Sequence, residues 1–177
     1  MTNLIERIIR SAMLDVDLYK EVEEDDNALT QAIVIVVLSS IAGGIGSIGR
    51  IGVSGIWKGT ITILIGWVIW AYIVYYVGTK IIPGPKTDVD YKVVLRTIGF
   101  SCSPQFVRIL GIIPVIGKIV FFVVSIWMLA AMVVAIKQVL KYENILHSVV
   151  VCLVGWLIQM LALMLLYIII GGMMLPL

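Results

Sequence analysis

Five stretches of this chain are almost wholly apolar: residues 28–48, 60–82, 93–116, 119–136 and 148–170. About 20 residues at 1.5 Å rise carry a helix across the hydrocarbon core. Each stretch therefore predicts a membrane-spanning helix. Polar and helix-breaking residues are compressed into the short connectors. Pro83-Gly84-Pro85 ends the second stretch, since proline brings no amide donor. Ile113-Pro114-Val115-Ile116-Gly117 leaves so little chain that the third and fourth stretches must form a tight antiparallel hairpin. Asn27 and Asn144 stand where N-caps of the first and fifth spans are expected. The pattern predicts an all-α membrane protein with a five-transmembrane-helix bundle over residues 28–177.

Residues 1–27 follow another rule. Leu4, Ile5, Ile8, Ile9, Ala12 and Met13 recur at helical spacing, with Glu6, Arg7 and Arg10 opposite them. This predicts an N-terminal amphipathic interfacial helix lying on the membrane surface. A turn or second short helix should follow over residues 14–19. Eight of the eleven acidic residues lie in this segment, and the run before Asn27 suits the positive end of the first span. Glu6 falls where a signal peptide needs basic residues and no apolar core follows, so the first span is expected to be the uncleaved insertion signal.

Composition agrees with the pattern: 61% hydrophobic and 14% charged residues, with a mean hydropathy of +1.11. A soluble domain of this size could not keep that much apolar surface from water. The net charge of +2 with no basic patch gives nucleic acid no footing. Cys102 and Cys152 lie in different apolar stretches and fit neither a disulfide framework nor a metal site. With five spans, nine basic residues fall on one side: Arg7, Arg10, Lys20, Lys80, Lys86, Lys92, Arg96, Lys137 and Lys141. Three fall on the other: Arg50, Lys58 and Lys118. The excess predicts a cytoplasmic N-terminus and a C-terminus outside.

Little of the chain reads as chemistry. Gly44-Ile45-Gly46-Ser47-Ile48-Gly49 has dinucleotide-loop spacing, but it closes a spanning helix and lacks the strand and the later acidic residue. Gly52-Val53-Ser54-Gly55 resembles a rhomboid-type nucleophile, yet the sole histidine, His147, belongs to a connector on the opposite membrane face. Glu23-Glu24 lacks the arginine of a CAAX-type protease, since position 28 is Ala. A loose divalent-cation site from Glu21, Glu24 and Asp25 is weighed against a solvated acidic collar. No cofactor or metal is expected. The candidate residues are instead structural. Gly43 and Gly44 lie among small residues spaced four apart, which let helices approach closely in lipid. Pro104 should kink or split the third span. Arg108 either snorkels to the outer interface or marks a polar pathway or a lipid head-group site. Gln159 can hydrogen-bond between helices.

Taken in order, these features resemble the Yip1-domain family in its short prokaryotic form. Leu14-Asp15-Val16-Asp17-Leu18-Tyr19-Lys20-Glu21-Val22-Glu23 is similar to the sequence that follows the family's first short helix. An acidic run and a span opening near Gln31 come next. Gly99-Phe100-Ser101-Cys102-Ser103-Pro104, the turn at residues 113–117 and Gly155-Trp156 match later family positions. The resemblance covers nearly the whole chain and implies a fold rather than an activity. Eukaryotic members carry an Asp-Leu-Tyr-Gly-Pro motif and are linked to Rab GTPases and Golgi trafficking. Here Tyr19, the candidate contact in that motif, is followed by Lys20-Glu21, so the resemblance does not carry a small-GTPase partner over. The expectation is a non-enzymatic, multi-pass membrane adaptor, scaffold or bilayer-organising protein, in the cell membrane if prokaryotic. Its partners would be the lipid bilayer and other membrane proteins or itself. The alternative is a small transporter or channel subunit using the Pro104-broken span with Arg108 and Gln159.

Overall fold

The computed structural model describes residues 3–84, 88–113 and 115–173. Pro85, Lys86, Pro114 and the uncharged tail at 174–177, on which parts of the sequence reading fall, lie outside the described residues. All regular structure among the described residues is helical. Helix α1 spans Leu4–Ala12, capped by the Asn3 carboxamide oxygen, which accepts from the Ile5 amide at 3.3 Å. Helix α2 spans Val16–Glu24, capped by Asp15, which accepts from the Asp17 amide at 3.0 Å. Helix α3 (Ala28–Gly46) gets no side-chain cap from Asn27. The Asp25 carboxylate accepts the Asn27 amide instead, at 3.0 Å, so the acidic residue organises this helix start. Helix α4 spans Ile48–Tyr76 and runs on into a π-helical turn, Val77–Ile81. Helix α5 (Tyr91–Phe100) is followed by a 3-10 segment, Ser103–Ile112. Helices α6 (Gly117–Val139) and α7 (Ile145–Met173) complete the chain. Asn144 caps α7 as expected, accepting from the Leu146 amide at 2.9 Å.

Four helices among the described residues are long and apolar enough to cross a membrane: Ala28–Gly46, Gly52–Ile81, Gly117–Val139 and Ile145–Ala162. The second begins eight residues before the expected start at Thr60. The glycines read as connector are helical, with one non-helical residue, Gly52, at φ +66°. In hydrocarbon a backbone must satisfy its own polar groups, which outweighs the poor helix propensity of glycine. The third expected span, residues 93–116, is not a single helix. Pro104 splits it: α5 ends before it, and Pro104 occupies the first turn of the 3-10 segment, where its missing donor costs nothing.

This broken segment lies against α3 along its whole length. A Cβ on Gly99 would stand 2.7 Å from the Ala32 Cβ, and the Gln105 amide donates to the Ser39 carbonyl at 3.3 Å. Farther on, a Cβ on Gly46 would stand 1.8 Å from the Arg108 carbonyl oxygen, and one on Gly111 3.0 Å from the Gly46 carbonyl. The paired residue numbers rise together, so the two run parallel. Irregular backbone survives at such depth only where protein encloses it, and residues Ile98, Phe100, Ser101, Ser103 and Gln105 are all buried.

One end of the bundle is tied by polar contacts. Arg96 bonds the Asp26 carboxylate at 2.9 Å and the Glu23 carbonyl. Lys141 pairs with Glu23 at 3.1 Å, and the Tyr142 hydroxyl donates to the Ile82 carbonyl. Fully buried side chains of α2, of α4 with its π-helical turn and of the end of α6 gather toward this end: Leu18, Tyr19, Val22, Val74, Val77, Ile136, Val139 and Leu140.

Helix α1 forms where predicted, but it is rolled so that Arg7 and Ser11 face the protein together with Leu4 and Ile8, while Glu6 stays exposed. Arg7 and Ser11 are buried, while Ile5, Ile9 and Met13 are exposed. Arg7 donates to Asp25 at 2.7 Å and to Gln31 at 2.9 Å. Ser11 bonds Ser103 at 2.5 Å, and the Trp127 indole donates to the Ala12 carbonyl at 2.7 Å. The α1–α2 hairpin is therefore docked against the bundle. Polar groups on α3, α6 and the 3-10 segment offer the inward polar groups of α1 better partners than bulk solvent would.

Candidate functional site

The split at Pro104 sets Gln105 beside Ser39 and carries Arg108 on to the end of α3 at Gly46. Two cavities flank this pair. The smaller, about 160 Å³, lies toward α3 and α4 and is walled by Gly43, Gly44, Ser47 and Ile56 among others. A Cβ on Gly43 would come within 3.3 Å of the Gln105 amide nitrogen, and one on Gly44 within 3.1 Å of Ile56. Gly43 thus lets the glutamine in, and Gly44 lets α4 approach. The larger cavity, about 640 Å³, lies between α4, the broken segment, α6 and α7. Its wall includes Trp67, Trp70, Met132, Arg108 and Gln159. The two polar residues that the sequence singled out within spans three and five therefore share one cavity.

Arg108 is half-buried. Its guanidinium donates to the Ser125 hydroxyl at 2.9 Å and sits 5.4 Å from the centroid of the Phe121 ring. Its Nε atom is buried with no hydrogen-bond partner, as is the indole nitrogen of Trp67. Gln159 makes no side-chain hydrogen bond to the described residues and lines the larger cavity. Tyr19 is fully buried, its hydroxyl donating to the Ser11 carbonyl at 3.4 Å. It fills the core and presents no ring to a partner.

Several acidic N-terminal residues meet basic side chains. Arg10 bridges Asp15 at 2.7 Å and Glu21 at 2.8 Å, and Arg7 holds Asp25. These hydrogen bonds hold the Asp15 and Asp25 carboxyls below their ordinary 3.8 and raise Arg10. Among the described residues no three His, Cys, Asp or Glu side chains gather to hold a metal ion. His147 stacks on Tyr142, with centroids 5.5 Å apart. Burial pushes the Tyr142 hydroxyl up to about 12.

Sequence reasoning missed the contacts of Arg96, Ser11, Ser103 and Trp127. Arg96 was counted only as a cytoplasmic charge. The available signal was polarity inside an otherwise apolar stretch: residues 101–105 hold two serines, a cysteine, a proline and a glutamine. Such a run belongs inside protein rather than against lipid.

Helices of this length and apolarity, closed around an irregular buried segment, make this a multi-pass helical membrane protein. The model of one family, the Yip1 domain, matches residues 16–171, from the first residue of α2 to the last turn of α7. The chain belongs to the Yip1-domain family. No curated protein and no solved structure matches it.

Proposed function

We propose that this protein is a non-enzymatic organiser of the bilayer and its neighbouring membrane proteins, with five crossings and a cytoplasmic N-terminal segment. The parallel register of the broken segment on α3 supports counting it as a crossing. The meeting of Arg7, Arg96 and Lys141 at one end supports a single basic, cytoplasmic face.

One observation carries the functional reading. Helix α1 packs Leu4, Arg7, Ile8 and Ser11 against the bundle and leaves part of its apolar face, Ile5, Ile9 and Met13, outward. An apolar stripe held outward by polar contacts is made for hydrocarbon or for the apolar face of another membrane helix. With α2 beside it, α1 widens only the half of the bundle nearest the tied end. A body wider in one leaflet than the other favours curved bilayer and gathers at its neighbours' edges. The test is reconstitution into vesicles of mixed diameter. Wild-type protein should concentrate in the small vesicles, and the double variant Ile5→Glu, Ile9→Glu should distribute evenly while keeping its melting temperature. Even distribution of the wild type would reject the reading.

The cavity shared by Arg108 and Gln159 favours the alternative, a small transporter or channel subunit. Solute flux through reconstituted protein, abolished by Arg108→Leu, would establish it.

A further inference from the structure

The larger cavity has a direction. Contacts fix one level of it: the Trp70 indole donates to the Met132 sulfur at 3.4 Å, the Ser101 hydroxyl lies 3.6 Å from the same sulfur, and a Cβ on Gly155 would touch Trp70 at 3.3 Å. The Arg108–Ser125 bond fixes a second level. Between them α6 advances from Ser125 to Met132, α4 from Ile63 to Trp70 and α7 from Cys152 to Gln159. Seven residues of helix span about 10 Å, so the cavity is a trough about two turns long. Arg108, Ser125 and Gln159 lie at one end. Trp70, Met132, Ile98 and Cys152 lie at the other.

The polar end sits near the bilayer boundary. The Arg108 carbonyl packs on Gly46, the last residue of α3. Its chemistry is one-sided. At this end Arg108 Nε is a buried donor with no hydrogen-bond partner among the described residues; the other such donor in the lining, Trp67 Nε1, belongs to the far end, where the Trp67 ring packs against Gly99. No acidic residue lines the trough. A guanidinium with an unmet donor and no acidic neighbour selects an oxygen-rich anion. The apolar remainder selects hydrocarbon, and the volume falls within the roughly 300–1,000 Å³ of ligand sites.

We propose that this trough binds one anionic phospholipid, its phosphate on Arg108 and one acyl chain laid toward Trp70 and Met132. The site is independent of the curvature reading, because α1 does not line it.

Native mass spectrometry of the purified full chain in mild detergent tests it. The probes are dioleoylphosphatidylglycerol, dioleoylphosphatidylcholine and glycerol phosphate. One phosphatidylglycerol per protomer should bind saturably, about tenfold or more tighter than phosphatidylcholine. Glycerol phosphate, lacking chains, should not be retained. Arg108→Gln should erase the tenfold preference. Gly66→Leu should abolish saturable binding by filling the trough, since Gly66 lines it and a Cβ there meets nothing within 4 Å. Melting temperature is followed in parallel. If Gly66→Leu melts early, Met128→Trp narrows the trough from α6 and takes its place. Non-saturating binding with no headgroup preference, unchanged by Arg108→Gln or by a folded filling variant, means annular lipid only and overturns the proposal. Equal retention of glycerol phosphate means a free-anion site and also overturns it.

Discussion

Gly46 is the tightest of the described glycines, because the Arg108 carbonyl occupies the place a side chain would need. Backbone, unlike the tip of a side chain, cannot step aside. Gly46→Ala should therefore separate α3 from the 3-10 segment and cost about 1–3 kcal/mol or more. Gly59→Ala, where nothing lies within 4 Å, should be neutral or gain up to about 1 kcal/mol from helix propensity. Thermal melting in detergent, read as loss of a monodisperse peak, ranks the two, and equal melting would refute the close packing. Arg96 offers a second residue-scale test. It is buried and forks between the Asp26 carboxylate and the Glu23 carbonyl. A lysine cannot hold both acceptors in that geometry. Arg96→Lys should lower stability nearly as far as Arg96→Leu, by about 1–3 kcal/mol for the orphaned carbonyl. Full stability in the lysine variant would make the contact a plain charge pair. Pairings of this kind were not legible in the sequence. Gly46 looked like its neighbours Gly43 and Gly44, and only the fold decides which glycine meets backbone.

At the scale of elements, α3, α4, α6 and α7 were legible because a lipid-facing helix must be apolar on nearly every side, which leaves a long unbroken run. The split at Pro104 was legible too, as a kink or a break. The 3-10 geometry was not, because it follows from close fitting against α3 and α6 rather than from local preference. The roll of α1 that leaves Ile5, Ile9 and Met13 outward was also hidden: periodicity shows that a helix has two faces, not how it is turned against the protein. The attachment of that helix is titratable. Arg7 and Arg10 hold the Asp25 and Asp15 carboxyls below 3.8. A carboxyl whose folded value is depressed stabilises the fold above its unfolded value and loses that contribution as pH falls through the folded one. A spin label at position 9 should therefore keep constant mobility from pH 7 to about 5, and loosen only below about pH 4. Unchanged mobility at pH 3 would mean that Ser11–Ser103 and Trp127–Ala12 hold α1 unaided.

At the scale of the whole molecule, the account turns on the broken segment being a crossing. Four helices among the described residues qualify by length and composition, and an even count would return both termini to one face. The register along α3, from Gly99 on Ala32 to Gly111 on Gly46, instead carries the chain from one end of the bundle to the other. The pairing of Lys141 with Glu23 brings the α6–α7 connector back to the face that holds the N-terminal segment. Reporter fusions in intact cells measure this directly. A reporter active only in the cytoplasm should give signal when fused after Lys141 and none when fused after Leu177. Signal after Leu177 with silence after Lys141 would mean that residues 93–116 do not cross, and would contradict the five-crossing bundle.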